Sequence, residues 1–389
     1  MGFASDMWCL DLALLDEWRR LPDFPGSTPN SPWRCRDMRV WNKAAWTFDG
    51  TASHIWRFDL ETETWDTVVT LLAPGLVWPY PKSLIADHIM QIRDGMLYVF
   101  GGSDHGSASG CNTFMALDLR TYVWTLLGGQ NCPLPTSYMP MPRIHHCSWL
   151  VPHDDKLFVA FGNSKQTGVQ QMDIPSTVGR DCQYDDVWSW HCTKKVWKKE
   201  RIVGNRPSPR ARASGAFNRI IRRTVLFGGY STRFPAAGVQ AMHNGAAFRF
   251  TYFADTFLWD PVTNIWALVL TPGFPTYRAG MNVIVDEDSG ATYLFGGFTS
   301  PEFIPSGHVG CLYFRDLWQL VLDLPSKVPE ADESWLEELG PWKICWACGS
   351  AGRWKSCGGT CGGIIHFCGL ECLKAKWPEH KHKDGCRTR

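Results

Sequence analysis

The chain has 389 residues, of which 44% are hydrophobic and 20% are charged, and its formal net charge is +1. This length exceeds what one ordinary hydrophobic core accommodates, so we expect at least two domains. The nearly balanced charge gives no indication of a nucleic-acid or membrane partner, and no uninterrupted apolar run reaches the roughly 18 residues of a membrane span.

The N-terminal sequence, MGFASDMWCLDLALL, lacks the basic segment of a signal peptide, and Asp6 and Asp11 interrupt its apolar run. The 15 cysteines are an odd number; eight are scattered through the first 340 residues and seven lie between Cys345 and Cys386. This distribution disfavours a secreted disulfide framework and favours reduced thiols. We therefore expect an intracellular protein of the cytoplasm or the nucleus.

Residues 1–325 contain an internal repeat. An apolar run that ends in a glycine pair, or in a close variant, recurs at 47–50, 99–102, 160–163, 226–229 and 294–297. After each run comes an aromatic residue or Met, often with an acid three positions later and usually with a Trp nine later. The instances are Trp56/Asp59/Trp65, Met115/Asp118/Trp124, Trp188/His191/Trp197 and Phe257/Asp260/Trp266. Alternating segments such as HIWRFDL lie between these marks, so each unit is predicted to be about four antiparallel strands.

These marks resemble the kelch repeat family, as does a P-x-x-R turn that recurs at Pro140–Arg143, Pro207–Arg210 and Pro275–Arg278. The resemblance implies a mainly β fold, with residues 1–325 forming a β-propeller in which Trp rings fill the gaps between sheets. Five glycine-pair units and a partial copy, Trp8/Asp11/Trp18, leave the number of blades open between five and six. The last copy, around Trp318, lacks the second Trp.

Three connections make the repeats longer than the roughly 50 residues usual for this family. The extra residues fall after the glycine pair in each case, at 163–185, 230–254 and 298–315. Because the same connection is lengthened each time, the loops are predicted to emerge on one face, where loops commonly bind partners. Tolerated surface insertion is the alternative interpretation.

Propellers of this kind also occur in copper radical oxidases, which need Tyr and His copper ligands and a Tyr–Cys crosslink. His145 and His146 are adjacent at the start of a predicted strand, where neighbouring side chains point to opposite faces, so we expect them to be structural or solvent-facing. The sequence contains no nucleophile elbow, phosphate-binding glycine loop or other catalytic motif. The chain is therefore predicted not to be an enzyme.

Residues 326–342 are predicted to be a polar linker, and residues 343–389 a separate cysteine-rich module with a short helix from Leu370 onward. The module contains four ligand pairs, Cys345/Cys348, Cys357/Cys361, Cys368/Cys372 and His382/Cys386. Eight sulfur and nitrogen ligands suit two tetrahedral zinc ions. Metal binding of this kind lets a segment too small for a hydrophobic core fold.

The module resembles the MYND zinc finger family over about residues 343–386, in its CxxC opening, its Phe367–Cys368 pair and its tail around Trp377. The resemblance implies two structural zinc ions with interleaved ligands: Cys345, Cys348, Cys368 and Cys372 for one, and Cys357, Cys361, a histidine and Cys386 for the other. His380 and His382 each fit half of the histidine pattern. On a helix His382 and Cys386 would share a face, which favours His382 and leaves His380 as the alternative.

The finger family implies recognition of short proline-containing peptides, and Trp346, Trp354 and Trp377 are candidates for the groove. Nine Lys or Arg and three Asp or Glu between Lys343 and Arg389 indicate a solvated surface rather than a nucleic-acid site. The sequence therefore predicts an adaptor that binds other proteins through the propeller face and the finger. The alternative is an enzyme, either a propeller oxidase or a lysine methyltransferase, although the SET domain that the latter needs is not evident.

Overall fold

The computed structural model describes residues 6–12, 14–15, 17–26, 37–80, 85–104, 110–130, 138–165, 181–232, 250–271, 273, 275–300, 311–322, 343–348, 351–352, 354–360, 365–383 and 386. The predicted linker, 326–342, lies outside these residues. Among the described residues, no helix combines the length and the apolar character that crossing a membrane requires.

The described strands form an N-terminal hairpin, five larger sheets that we call blades 1 to 5, and a C-terminal module. The hairpin consists of β1 (Met7–Leu10) and β2 (Trp18–Leu21). Blade 1 consists of β3 (Arg39–Trp41), β4 (Ala44–Thr47), β5 (His54–Asp59) and β6 (Thr64–Val69). Blade 2 and its loop strands are β7 (Leu71–Leu72), β8 (Ile85–Ala86), β9 (Ile89–Arg93), β10 (Met96–Phe100), β11 (Ser103–Asp104), β12 (Phe114–Asp118) and β13 (Val123–Gly128).

Blade 3 and its loop strands are β14 (Cys147–Val151), β15 (Lys156–Ala160), β16 (Asn163–Lys165), β17 (Asp181–Gln183), β18 (Val187–His191) and β19 (Val196–Lys199). Blade 4 and its loop strands are β20 (Val203–Gly204), β21 (Ser214–Asn218), β22 (Arg223–Phe227), β23 (Tyr230–Thr232), β24 (Phe250–Tyr252), β25 (Thr256–Trp259) and β26 (Ile265–Val269). Blade 5 and its loop strands are β27 (Asn282–Val285), β28 (Thr292–Phe295), β29 (Phe298–Thr299), β30 (Leu312–Tyr313) and β31 (Leu317–Leu320). The C-terminal module contains β32 (Lys343–Ile344), β33 (Ala351–Gly352), β34 (Lys355–Ser356), β35 (His366–Phe367) and helix α1 (Leu370–Lys383).

The five blades are arranged radially. Blades 1 to 4 share a four-stranded antiparallel meander, and the innermost strands contact one another in the order β3, β9, β14, β21, β27. This arrangement confirms the predicted β-propeller, and within the described residues it has five blades. Stacking in this way buries the apolar faces that a single sheet would leave in water.

In blades 2, 3 and 4 the Trp of the fourth strand lies between its own blade and the preceding one. The Trp124 ring lies 5.0 Å from Phe48 of blade 1, and the Trp197 ring 5.0 Å from Phe114 of blade 2, between ring centroids. The Trp266 ring lies 6.4 Å from Trp149 of blade 3. The Trp residues that recur regularly in the sequence are therefore the residues that pack between neighbouring blades.

In blades 1, 2 and 4 the aspartate of the repeat closes the hairpin between the third and fourth strands, whereas blade 3 has His191 at this position. The Asp59 carboxylate accepts hydrogen bonds from the main-chain N–H of Glu61 and Thr62, and Asp260 accepts them from Val262 and Thr263. A short polar side chain that captures nearby amides in this way is a common turn device. The acid is thus a structural feature of the repeat.

The hairpin β1–β2 lies between blade 5 and blade 1. The Trp18 ring is 4.9 Å from Phe295 of β28, and Arg19 makes a bidentate ion pair, with bonds of 2.8 and 2.6 Å, to Glu63. The indole N–H of Trp65 donates to the Pro22 carbonyl at 3.1 Å. The partial N-terminal copy of the repeat thus bridges the last blade and the first.

Candidate functional site

The three long connections share one structural plan. Each begins and ends in a two-stranded ladder, β16–β17, β23–β24 and β29–β30, at the base of the loop. Neighbouring bases touch, since β17 contacts β23 and the Ser231 hydroxyl donates to Gln183 Oε1 at 2.6 Å. The loop bases of blades 3 and 4 therefore lie side by side, as the repeated connection predicted. Residues 166–180, 233–249 and 301–310, within these loops, lie outside the described residues.

A fully buried arginine from the P-x-x-R turn holds the base of each of these loops. Arg143 donates to Asp186 in a bidentate pair of 2.8 and 3.2 Å and to the Phe161 carbonyl at 3.0 Å. Its guanidinium also lies 4.3 Å from the centroid of the Tyr184 ring. The same clamp occurs in the next two blades as Arg210 with Asp255 and Phe253, and as Arg278 with Asp316 and Phe314. Each clamp ties the start of a blade to the two ends of its long loop.

The repeated P-x-x-R turn indicated these arginines, but their aspartate partners were not predicted from the sequence. The partners lie 38 to 45 residues further along the chain. A signal was present, because an aromatic residue precedes each aspartate by two positions, in Tyr184–Asp186, Phe253–Asp255 and Phe314–Asp316. The aromatic ring stacks on the guanidinium and the carboxylate accepts its N–H groups.

Because each clamp contains an ionised aspartate, we expect the stability of the propeller to decrease at acidic pH. Burial opposes ionisation of Asp186, but the charge of Arg143 and the donors of Arg143 and Trp188 outweigh it and lower the pKa of Asp186. The pKa of Asp316 is lowered mainly by its hydrogen bond to Arg278. A carboxylate with a lowered folded-state pKa stabilises the protein above its unfolded pKa, about 3.9, and this contribution is lost as the pH falls through the folded value.

We therefore expect the free energy of unfolding in urea to fall below about pH 4. In Asp186→Asn the dependence on pH in this range should be shallower than in the wild type. If the free energy of unfolding depends on pH equally in the two proteins, this clamp does not contribute to the acid sensitivity.

Three polar residues connect blades 2, 3 and 4 next to the loop bases. His145 Nε2 lies 3.4 Å from Asp87 Oδ1 and 2.8 Å from Arg212 Nη2. Each of the three residues lies two positions before the first strand of its blade and has a positive φ, between 53° and 57°. His146 points the other way; burial lowers the pKa of its imidazole well below the usual value, and Nε2 contacts the Phe100 carbonyl. The expectation of a structural role fits His146, whereas His145 belongs to a polar group beside the loops.

The first predicted set of metal ligands comes together in the C-terminal module. The thiols of Cys345, Cys348, Cys368 and Cys372 lie within 4.8 Å of one another. The Sγ atoms of Cys348 and Cys368 are 3.6 Å apart, and those of Cys368 and Cys372 are 3.4 Å apart. Four sulfurs about 2.3 Å from one zinc ion would be separated by roughly 3.8 Å, so these residues fit a tetrahedral site.

Two short hairpins and the helix position these thiols. Strand β32 pairs with β33, and β34 pairs with β35. The main-chain N–H of Trp346 donates to the His366 carbonyl at 2.9 Å and thereby joins the two hairpins. Cys372 lies in α1, whose predicted start at Leu370 is confirmed.

The second set contains His380. Cys357, His380 and Cys386 place their ligand atoms within 4.8 Å of one another, and the sulfurs of Cys357 and Cys386 are 3.6 Å apart. The sequence favoured His382 as the ligand, on the premise that His382 and Cys386 share a helix. That premise was wrong, because α1 ends at Lys383 and Cys386 lies beyond it. The fourth predicted ligand, Cys361, and the side chain of His382 lie outside the described part of the chain.

The thiols of the first set influence one another strongly. Burial opposes ionisation of Cys345, yet main-chain N–H donors at Cys348, Cys368 and Ala347 lower the pKa of its thiol to about 6. Hydrogen bonds to Cys368 and Cys348 raise the pKa of the Cys372 thiol to about 12. Four sulfurs in contact therefore do not titrate independently.

Aromatic rings surround the second set. His380 is fully buried, and its ring lies 5.8 Å from Trp346 and 5.6 Å from Trp377, between centroids. Trp346 remains 36% exposed, with the Lys376 ammonium 5.8 Å from its ring centroid. Trp354 and Trp377 are half-buried. Trp346 is therefore the most accessible of the three candidate groove residues.

Comparisons with known proteins concern the propeller. Residues 48–229 match the family described as the KLHDC2/KLHL20/DRC7 Kelch-repeats domain. The chain is 27% identical over 177 residues to the Leucine-zipper-like transcriptional regulator 1 homolog of Drosophila melanogaster, a match that covers 43% of this chain and 17% of that protein. It is 24% identical over 183 residues to human Kelch domain-containing protein 3, covering 47% of this chain and 42% of that one. The matches thus span less than half the length of either relative.

A solved structure described as "Structure of YjhT" has a similar fold. It superposes with a TM-score of 0.53 at 14% sequence identity, covering 83% of this chain and 96% of that one. At this identity the similarity concerns the fold alone. Residues 48–229 thus match a kelch-repeat domain, and the radial sheets of the described residues form a five-bladed β-propeller.

Proposed function

We propose that this kelch-repeat propeller is a non-enzymatic adaptor that binds other proteins on its loop face and through a C-terminal zinc finger. The observation that carries the proposal is the alignment of long loops from successive blades, whose bases touch and are each held by a buried clamp. Loops on a rigid scaffold are where proteins commonly place binding residues. The kelch domain of the chain is consistent with this role.

The finger in this proposal is of the MYND type and holds two structural zinc ions. Cys345, Cys348, Cys368 and Cys372 bind one ion; Cys357, Cys361, His380 and Cys386 bind the other. Bound zinc supplies folding energy here, because protein ligands would fill all four positions of each ion. Thiolate ligands require a reducing compartment, so we place the protein in the cytoplasm or the nucleus.

The partners of the finger in this proposal are proline-containing peptides. Proline-rich segments adopt an extended helix before binding and dock against exposed aromatic rings. Trp346 offers such a ring, and the edge-on contacts with Phe367 and His380, at centroid distances of 6.2 and 5.8 Å, fix its orientation.

Trp346→Ala should weaken binding of a proline-containing peptide at least tenfold and leave the zinc content unchanged, because Trp346 is not a metal ligand. Removing one aromatic anchor from a small interface typically has this effect. Peptide titration by fluorescence anisotropy, together with zinc analysis, measures both quantities. Leu370→Ala, which removes an apolar side chain that is 69% exposed in the same module, is the matched control. Equal affinity of the wild type and Trp346→Ala would refute the groove.

Affinity purification tests the two binding surfaces separately. The intact chain, a chain without residues 343–389 and a chain with 166–180 and 233–249 replaced by short Gly-Ser linkers are used as baits. We expect each altered bait to lose a different subset of the partners. Identical partner sets for all three baits would contradict the proposed division of binding.

A further inference from the structure

Blade 5 differs from the other four blades at its outer edge. Blades 1 to 4 have a fourth antiparallel strand, β6, β13, β19 or β26, which carries a Trp. In blades 2 and 4 a short parallel strand, β7 or β20, pairs with the outer side of that strand. In blade 5, β31 is the outermost strand of its sheet among the described residues. No described strand pairs with its outward backbone groups, and an edge of this kind can pair with another strand.

The last repeat lacks the second Trp, and a groove lies where that Trp would pack. Across the third and fourth strands, Trp266 faces Trp259 and Trp197 faces Trp190. The position in β31 that corresponds to Trp259 and Trp190 is Leu320. Leu320 lines a groove between blades 4 and 5 together with Val225, Phe227, Thr271, Leu294 and Trp318. The groove is open to solvent along one side.

Trp318 is more exposed than the residues at the same place in the neighbouring blades. Trp318 is 40% exposed, whereas Trp188 and Phe257, at the same place in blades 3 and 4, are 3% and 6% exposed. Trp266 and Trp124, which occupy the corresponding gaps elsewhere, are almost completely buried. The groove is therefore the space that a Trp fills in the neighbouring blades.

We propose that β31 binds a short extended peptide of a partner protein, which adds as a fourth strand and places a Trp in this groove. The lining residues include no Asp, Glu, Lys or Arg, so a neutral ring suits them better than a charged side chain. Main-chain hydrogen bonds to the edge would supply affinity, and the groove would supply specificity.

The small size of the surface favours a peptide over a second copy of the chain. An aromatic side chain buries about 150–250 Å², and β31 has only four residues. A stable protein–protein interface needs more than about 1,000 Å². The edge and groove together offer much less than that, which is typical of a linear segment that binds reversibly.

The chain itself supplies a probe. A labelled peptide with the sequence of Glu61–Val69, ETETWDTVV, is an authentic fourth strand with its Trp. We expect saturable binding to the full-length protein in fluorescence anisotropy, weakened at least tenfold when the peptide Trp is replaced by Ala. Absence of binding, or equal binding of both peptides, would overturn the proposal.

Two variants locate the binding site. A side chain at Gly273, which lines the groove, would meet no atom within 4 Å of its Cβ, so Gly273→Phe should fold and block the peptide. Gly128→Phe, at an equally open position of blade 2, is the control and should bind as the wild type does. Unchanged affinity of Gly273→Phe would refute the groove. A third variant, Trp335→Ala, removes a Trp of the predicted linker, residues 326–342. If this variant binds the labelled peptide at least tenfold more tightly than the wild type, the groove is occupied by the chain's own Trp335, and a partner peptide is refuted.

Discussion

Replacing His380 with alanine should lower the zinc content from two ions per chain to one, whereas replacing His382 should leave both ions bound. His380 is completely buried and lies within 4.8 Å of the sulfurs of Cys357 and Cys386. A structural zinc site that loses one of four ligands exchanges a protein ligand for water and binds its metal far more weakly. Metal analysis after dialysis against a mild chelator measures the difference.

The matched pair of histidine variants makes this result specific. Both substitutions remove an imidazole from the same helix, so a general loss of helix stability would affect them equally. Cys361→Ser should resemble His380→Ala, because the proposal assigns both residues to the same ion. If only His382→Ala loses one zinc ion, the ligand is His382 and not His380. If the wild type binds one zinc ion or none, the two-zinc site is refuted.

Replacing Arg143 with alanine should destabilise the propeller by about 3–5 kcal/mol, the usual cost of breaking a buried ion pair. The side chain of Arg143 is fully buried and that of Asp186 is only 11% exposed. The substitution leaves the carboxylate buried without its cation and removes a donor to the Phe161 carbonyl. In thermal unfolding we expect the melting temperature to fall on the order of 10 °C.

Arg219→Ala is the control for this experiment. Arg219 is half-exposed and pairs with Glu287 and Asp288, which are largely in solvent, so its loss should cost less than about 1 kcal/mol. Arg143→Lys keeps the charge without the bidentate geometry and should fall between the two. If Arg143→Ala is no less stable than Arg219→Ala, the clamp does not stabilise the propeller.

The features that were predictable from the sequence depend on short-range patterns. Alternating strands, glycine pairs and Trp spacing lie within single repeats, and the CxxC and CxxxC pairs within a few residues, so the repeated sheets and the cysteine pairs could be inferred locally. The grouping of those pairs into two sets was implied by the family resemblance. The histidine could not be inferred, because the choice between His380 and His382 depends on where α1 ends. The helix continues through Pro378 but ends before Cys386, and helix ends are set by tertiary contacts as much as by composition.

The aspartates of the clamps and the number of blades depend on long-range contacts. Asp186 lies 43 residues after Arg143, with a loop of variable length between them, so no periodicity connects them. The partial N-terminal copy indicated either a sixth blade or a shared one, and only its contacts with blades 5 and 1 show where it lies. The groove beside β31 was also not predicted, although the missing Trp of the last repeat indicated its position.

The hairpin β1–β2 has a consequence for how the chain folds during synthesis. Trp18 and its contact Phe295 are about 280 residues apart along the chain, so at about 5–20 residues per second the ribosome delivers Phe295 tens of seconds after Trp18. Blades 1 to 4 can assemble in order, since each packs on the one before it. The ring cannot close until blade 5 emerges, and until then the hairpin side of blade 1 and the apolar ring of Trp18 stay exposed. Closure of the ring is thus a late step, because it depends on contacts between residues far apart in the sequence. A chaperone would be needed most in the interval before this step.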